Sequence, residues 1–192
     1  MIVGVLLAAG RGSRFAAAGR KQLALMPDGC TMLAVSAHKM RAALDEVVIV
    51  VRDEPLLIEH ASKIAVEFDC RVVVNTQADE GMATSIACGV AASLDADGWL
   101  VGLADMPCIL PSSIATVARA LETNRGMVVP VHQQQRGHPV GFDRAFMDEL
   151  RRLAGDRGAR DLLARHTDRI TLVEINDAGI LLDIDTPADM PA

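Results

Sequence analysis

One segment near the start of the chain combines glycines with positive charge, Ala8-Ala9-Gly10-Arg11-Gly12-Ser13-Arg14. Four cations fall within eleven residues, before the first acidic residue, Asp28: Arg11, Arg14, Arg20 and Lys21. Glycines and small residues let backbone N–H groups approach a ligand closely, and the N-terminus of a following helix favours an anion. In a chain of net charge -6, this concentration of cations predicts a loop that binds a polyphosphate.

The glycine spacing matches neither of the two common phosphate-binding patterns. It lacks the Gly-Lys-Ser/Thr ending of a P-loop, and Phe15 stands where a dinucleotide-binding fingerprint has its third glycine. The alternative is a plain strand-to-helix turn whose arginines are solvated.

Carboxylates follow two later apolar runs. Asp105-Met106-Pro107 comes directly after Trp99 to Ala104, and Asp183-Ile184-Asp185-Thr186-Pro187 comes after Ile180 to Leu182. If both runs are strands, Asp105 and either Asp183 or Asp185 lie at the ligand-binding edge of the sheet. Mg²⁺ usually takes one or two protein carboxylates and completes its shell with phosphates and water, so we predict a magnesium site. The alternative for Asp185-Thr186-Pro187 is the cap of a C-terminal helix with Pro187 in its first turn.

The elements that must position these residues alternate along the chain. Six apolar, β-branched runs have strand length: 2–8, 47–51, 72–74, 99–104, 127–131 and 170–175. Six segments between or after them have helical length and period: 31–44, 55–68, 82–94, 112–121, 144–154 and 159–166. Strands that are apolar throughout are buried on both faces. We therefore predict a three-layer αβα sandwich with a mainly parallel, Rossmann-like sheet, with Gln133-Gln134-Gln135 as a hairpin or loop tip.

Length and composition exclude several other classes of protein. The 192 residues, 51% of them hydrophobic, predict one packed domain over residues 1–192. An acidic chain with 3% aromatic residues has little with which to bind nucleic acid or an anionic membrane. The four cysteines show no metal-binding spacing, and no apolar run is long enough to span a membrane. These features predict a cytoplasmic protein with reduced thiols.

Five motifs in order resemble a known family. They are Leu7-Ala8-Ala9-Gly10 with Arg14 and Lys21, Glu80-Gly81-Met82-Ala83 with Ser85, Asp105-Met106-Pro107, Arg136-Gly137-His138-Pro139-Val140 and Asp183-Ile184-Asp185-Thr186-Pro187. In this order the motifs are similar to the MobA-like nucleotidyltransferases, and within that family to the molybdenum cofactor cytidylyltransferases. The resemblance spans residues 7–187 and implies a fold of the nucleotide-diphospho-sugar transferase type.

The resemblance also implies roles for individual residues. The catalytic group is Arg14, Lys21 and Asp105, and the metal ligands are Asp105 and Asp185. The nucleotide-binding group is Ala8, Ala9, Gly10, Arg11, Gly12, Ser13, Asn75, Gly81, Met82 and Ser85. The substrate-binding group is Arg136, Gly137, His138, Pro139, Asp156 and Arg160. Two departures from the family pattern are Phe15 after Arg14 and an alanine-rich insertion before Arg20 and Lys21, which leave the loop lysine's role open between those two cations. On pattern alone, the segments around residues 136–139 and 155–158 are equally consistent with turns.

The implied reaction is transfer of CMP from CTP to the terminal phosphate of molybdenum-loaded molybdopterin, giving molybdopterin cytosine dinucleotide and pyrophosphate with Mg²⁺ as cofactor. Ala9-Gly10, where guanylyl members have two glycines, favours CTP over GTP. The implied partners are CTP and molybdopterin, and transiently a molybdenum hydroxylase or its maturation chaperone. Two alternatives remain: a cytidylyl, uridylyl or guanylyl transferase for another phosphorylated small molecule, and a non-catalytic molybdopterin-binding chaperone.

Overall fold

A computed structural model describes residues 1–12 and 20–190. The strands are β1 Ile2–Leu7, β2 Glu46–Arg52, β3 Arg71–Asn75, β4 Gly98–Leu103, β5 Met127–His132, β6 Gln135–Arg136, β7 Val140–Asp143 and β8 Ile170–Glu174. They form one sheet in the order β3-β2-β1-β4-β7-β5, with β8 on the outer side of β5 and the short β6 paired to the end of β5. All six predicted strands are present.

The described α-helices flank this sheet. They are α1 Met32–Arg41, α2 Pro55–Phe68, α3 Met82–Ala91, α4 Pro111–Thr123, α5 Met147–Arg151 and α6 Arg160–Arg165. The helix predicted over residues 144–154 is shorter and begins as a 3-10 turn, Arg144–Phe146, before α5. None of the helices in the described ranges has the length and apolar character needed to cross a bilayer.

Alternate strand residues point into two separate cores, which confirms the three-layer fold class. In β2, Val47, Ile49 and Val51 pack under α1, α2 and α4, whereas Val48 and Val50 pack under α3, α5 and α6. These five side chains are fully buried. Branched apolar side chains on both faces of a strand leave no face for solvent, so helices must cover both sides.

The sheet is mixed rather than uniformly parallel. β1, β2, β3 and β4 pair in parallel, as do β5 and β8, but β7 runs antiparallel to both β4 and β5. β6 also pairs antiparallel with β5, after a turn at Gln133 and Gln134, whose φ angles are positive at 49° and 67°. The hairpin prediction at the glutamines is therefore confirmed. Neither β6 nor β7 was predicted, because two and four residues are too short to show a strand pattern.

The prediction that Ile180 to Leu182 forms a strand is wrong. Ala178–Leu181 is a 3-10 turn, and Gly179 lies so close to the carbonyl of Cys108 that a Cβ there would overlap it. The alternative interpretation of Asp185-Thr186-Pro187 as a cap agrees with the structure in its position, since Thr186 is the cap residue and Pro187 stands in the first turn. The element, however, is the 3-10 turn Pro187–Asp189 and not an α-helix. Asp185 therefore reaches the sheet edge from a tight turn and not from a strand.

Asp177 attaches the 178–181 turn to the start of α4. The buried carboxylate accepts hydrogen bonds from the backbone N–H of Gly179 at 2.9 Å and of Leu110 at 2.9 Å, and from the hydroxyl of Ser113 at 2.7 Å. One side chain thus satisfies donors at the start of α4 and within the 178–181 turn. Ile180, which belongs to the same turn, is fully buried in the core.

Asp177→Ala is expected to lower the free energy of unfolding by about 1–3 kcal/mol, because three donors, two of them buried, lose their acceptor. Urea denaturation measures the change. The matched control, Asp168→Ala, removes an exposed carboxylate and should stay within about 0.5 kcal/mol of the wild type. Equal losses in the two variants would contradict this role for Asp177.

Candidate functional site

A cleft of about 630 Å³ lies at the carboxyl ends of β1 and β4. Its walls come from six parts of the chain that are distant in sequence: 7–12 with 21–22, 78–85, 103–106, 135–138, 160 and 180–185. The predicted residues that line it are Ala9, Gly10, Gly12, Lys21, Gly81, Met82, Ser85, Asp105, Arg136, Gly137, His138, Arg160 and Asp185. The structure therefore brings representatives of all five motifs to one cavity.

A buried lysine joins two carboxylates at the centre of this cleft. The Nζ of Lys21 donates to Oδ2 of Asp105 and to Oδ1 of Asp185, each at 2.7 Å. The Lys21 side chain is 8% exposed, against 29% for Asp105 and 36% for Asp185. Burial alone would lower the pKa of the Lys21 ammonium, but its hydrogen bonds and attraction to the two carboxylates outweigh burial and raise that pKa above 10.5. Lys21 is therefore a cation at any physiological pH.

Backbone contacts hold the two carboxylates together. Asp105 lies two residues after the end of β4. Its carbonyl oxygen accepts from the backbone N–H of Ile184 at 2.8 Å, which holds the C-terminal segment near the end of the strand. Ile184 is buried against Met26 and Met32. The second oxygen of Asp105, Oδ1, is buried, and none of the described residues donates a hydrogen bond to it. Such an atom is costly to bury unless a ligand satisfies it.

The glycine loop lies beside Lys21. Gly12 has a φ of +58°, and a Cβ there would come within 2.7 Å of the Lys21 Cβ, so glycine is needed at this contact. The Nε2 of Gln22 donates to the carbonyl oxygen of Gly10 at 2.6 Å. Gln22 is buried and lines the cleft. It is a site residue that our sequence analysis missed, although its position directly after Lys21 could have pointed to it.

The other cations of this loop lie elsewhere. Arg11 is exposed and donates to Asp79 at 3.0 Å, and Arg20 pairs with Glu54 at 2.7 Å. Neither lines the cleft, so among the described cations of the segment Lys21 alone faces it. Ser13 and Arg14, predicted to bind nucleotide and to act in catalysis, lie outside the described residues. Ala8 is buried behind the loop.

The start of α3 forms the opposite wall. Gly81 has a φ of +118°, and a Cβ there would overlap the carbonyl oxygen of Gly155 and Oδ1 of Asp156. The carbonyl of Gly155 also accepts from the backbone N–H of Ala83 at 3.1 Å. Asp156 therefore contacts the α3 start but does not line the cleft.

Asn75, predicted to bind nucleotide, is buried beneath this wall instead of lining it. Its Nδ2 donates to the hydroxyls of Thr84 at 3.0 Å and Ser85 at 2.9 Å. Asn75 thereby orients Ser85, which does line the cleft. The sequence pattern correctly predicted that Asn75 lies near the site. It could not show that Asn75 supports a residue of the cleft wall and does not itself line the cleft.

The third wall comes from the connection between β6 and β7. Arg136, Gly137 and His138 line the cleft with Arg160, whereas Pro139 faces a small apolar cavity on the other side. The backbone N–H of His138 donates to the carbonyl of Ile180 at 3.0 Å, which ties this wall to the C-terminal turn. Asp183, the open alternative to Asp185, also lines the cleft, but Asp185 is the one bonded to Lys21.

Burial lowers the pKa of His138 below 6.5, as does nearby Arg160, although Asp105 and Asp183 act in the opposite direction. The imidazole is therefore neutral at pH 7. A neutral ring can hydrogen bond to a ligand without adding a third positive charge to the wall that holds Arg136 and Arg160.

A group whose pKa is lower in the folded than in the unfolded chain reduces stability on acidification, because the unfolded chain takes up a proton that the folded chain excludes. His138→Asn is therefore expected to lose less unfolding free energy than the wild type as the pH falls from about 7.5 to about 5.5. Urea denaturation at several pH values measures this. Parallel pH profiles for the two proteins would show that His138 does not titrate as the structure indicates.

Comparison with known proteins identifies the family to which this chain belongs. A family model described as the MobA-like NTP transferase domain matches residues 4–170, so the chain belongs to the MobA-like nucleotidyltransferase family. Two curated relatives match nearly the whole chain. The nicotine blue oxidoreductase of Paenarthrobacter nicotinovorans is 31% identical over 98% of this chain and 94% of its own length. The purine catabolism protein PucB of Bacillus subtilis (strain 168) is 30% identical over 98% and 93%.

Solved structures agree with the family assignment. Rv0371c of Mycobacterium tuberculosis H37Rv is 28% identical, with a TM-score of 0.77 over 98% of this chain and 95% of that one. A second structure of Rv0371c is a complex with manganese; it is 27% identical, with a TM-score of 0.74 and the same coverage. The predicted family and fold class are therefore confirmed. In the described residues, no group of three or more His, Cys, Asp or Glu side chains is placed to hold a metal.

Proposed function

We propose that this chain is a single-domain cytidylyltransferase that transfers CMP from CTP to the terminal phosphate of molybdenum-loaded molybdopterin. The products would be molybdopterin cytosine dinucleotide and pyrophosphate. The observation that carries the proposal is the cluster of Lys21, Asp105 and Asp185 at the centre of the cleft, with the glycine loop on one side and Arg136 and Arg160 on another. The five motifs shared with the cytidylyl members support the choice of substrates.

The two carboxylates fit a divalent metal. Asp105 and Asp185 already converge on one cation, the ammonium of Lys21, and Oδ1 of Asp105 is a buried acceptor to which no residue in ranges 1–12 and 20–190 donates. Two carboxylates and no third protein ligand are typical of Mg²⁺ bound together with a triphosphate. The manganese complex of Rv0371c is consistent with such a site. When bound there by Asp105 and Asp185, Mg²⁺ would offset negative charge on the phosphates.

The chain's own groups would position the triphosphate and stabilise the charge that develops during transfer. Backbone N–H groups of the Gly10 to Gly12 loop would hold the triphosphate, and Gln22 fixes the orientation of the Gly10 carbonyl. Lys21 would stabilise the charge that develops on the departing pyrophosphate. The acceptor phosphate is already ionised, so no general base or protein nucleophile is required. Catalysis is then alignment together with electrostatic stabilisation.

The remaining walls suit the base and the acceptor. Gly81, Met82 and Ser85 line the cleft where the cytosine base would bind, with Asn75 holding Ser85 from beneath. Arg136, Arg160 and neutral His138 would bind the phosphate and the polar ring of the pterin. In the cytoplasm, the product would pass by transient contact to a molybdenum hydroxylase or its maturation chaperone.

Pyrophosphate release in the presence of Mg²⁺ tests the proposal, with CTP, GTP, UTP and ATP each assayed with and without molybdenum-loaded molybdopterin. Release is expected only when the pterin is present, and kcat/KM for CTP should exceed that for GTP by about tenfold or more. Mass spectrometry of the dinucleotide product provides the control for free hydrolysis.

Each other outcome selects an alternative. Preference for GTP would overturn the base assignment while leaving nucleotidyl transfer intact. Turnover only with a different phosphorylated acceptor would make the chain a transferase of another pathway. Binding of molybdopterin without pyrophosphate release from any triphosphate would make it a carrier.

A further inference from the structure

We propose that Lys21 and the divalent metal compete for the same two carboxylates, and that the ammonium of Lys21 is released toward the triphosphate when the metal binds. Lys21 would then have two roles: counter-ion of Asp105 and Asp185 before substrate arrives, and ligand of the triphosphate afterwards. The inference rests on the proposed function, since it takes Asp105 and Asp185 as the metal ligands.

The position of the Lys21 ammonium is the first observation. Lys21 holds Oδ2 of Asp105 at 2.7 Å. It holds Oδ1 of Asp185 at the same distance, so one ammonium occupies the point at which these two carboxylate oxygens converge. A metal that binds both of these oxygens must therefore displace the ammonium.

Charge is the second observation. The ammonium places one positive charge directly beside the two carboxylates, and that charge repels any second cation that approaches them. The ammonium is buried with an 8% exposed side chain, so solvent screens its repulsion of a second cation only weakly. Lys21 must therefore weaken metal binding as long as it stays in place.

Lys21 lies close to the loop where the triphosphate would bind. Its side chain lies against Gly12, and the loop of Gly10 and Gly12 lines the same cleft. A lysine side chain has a flexible four-carbon stem, so the ammonium can leave the carboxylates without movement of the backbone. A triphosphate bound along the glycine loop would offer it new negative charge at that place. Metal binding and delivery of the lysine to substrate are then one coupled event.

The first test is binding of Mn²⁺ alone, without nucleotide, followed by electron paramagnetic resonance of the free ion. Lys21→Met is expected to bind Mn²⁺ about tenfold or more tightly than the wild type, because competition by the ammonium is lost. Arg20→Met is the matched control. It removes the same charge from the neighbouring residue, which pairs with Glu54 and does not line the cleft, so its affinity for Mn²⁺ should match that of the wild type. Circular dichroism verifies the folding of each variant.

The second test uses the wild type and so does not depend on the folding of a variant. The chain has three lysines, Lys21, Lys39 and Lys63, so ¹⁵N labelling of lysine gives three ammonium signals. Titration with Mg²⁺ should shift the Lys21 signal. Lys63 pairs with Glu59 on the surface of α2 at 2.6 Å, and its signal should not move at the same Mg²⁺ concentrations.

The outcomes separate this inference from the proposed function. Tighter Mn²⁺ binding by Lys21→Met alone, with a shifted Lys21 signal in the wild type, supports the competition. Equal Mn²⁺ binding by all three proteins with an unmoved Lys21 signal overturns the competition and leaves the metal site intact. Failure of both the wild type and Lys21→Met to bind Mn²⁺, with no Mg²⁺ shift, overturns the competition and the assignment of Asp105 and Asp185 as ligands together.

Discussion

The contact of one ammonium with two carboxylates is the constraint on which the site depends. Lys21 is separated from Asp105 by 84 positions and from Asp185 by 164. A buried charge is tolerated only when its partners are held in place. The fold must therefore fix three distant parts of the chain to within hydrogen-bonding distance of one nitrogen atom.

Each of the three is fixed in a different way. Asp105 is placed by β4, a central strand whose neighbours β1 and β7 leave it no freedom of register. Lys21 begins a 3-10 turn, Lys21–Leu23, and packs against Gly12. Asp185 follows the 178–181 turn, which Asp177 attaches to the start of α4. Its neighbour Ile184 donates to the backbone carbonyl of Asp105. The position of Asp185, which no strand fixes, thus depends on individual hydrogen bonds.

The sequence predicts best those elements that show a continuous run of apolar residues. Runs such as Val47 to Val51 are apolar at every position, which requires burial on both faces and so indicates the layered sheet. It predicts β6 and β7 poorly, because pairs of such short strands are selected by tertiary contacts. Ile180 to Leu182 was misassigned for a related reason: three apolar residues fit a strand and a buried turn equally well, and the deciding contact, Gly179 against Cys108, is not local.

The candidate site, too, was predicted in part from the sequence. Motif order predicted which segments meet, and Lys21, Asp105 and Asp185 do meet. Clustering of charge in the sequence was less reliable, because Arg11 and Arg20 found acidic partners, Asp79 and Glu54, that only the folded chain brings near. Gln22 was missed because an amide side chain gives no signal until its partner, the Gly10 carbonyl, is known.

Turnover of Asp105→Asn tests the central claim, that this cluster is where the chemistry occurs. The substitution removes one charge from the cluster and keeps the size of the side chain, and Asp185 remains to pair with Lys21. The account predicts a fall in kcat/KM of about 10²-fold or more, with an unfolding free energy within about 1 kcal/mol of the wild type. Near-normal turnover by the well-folded variant at saturating Mg²⁺ would remove Asp105 from the reaction and contradict the account.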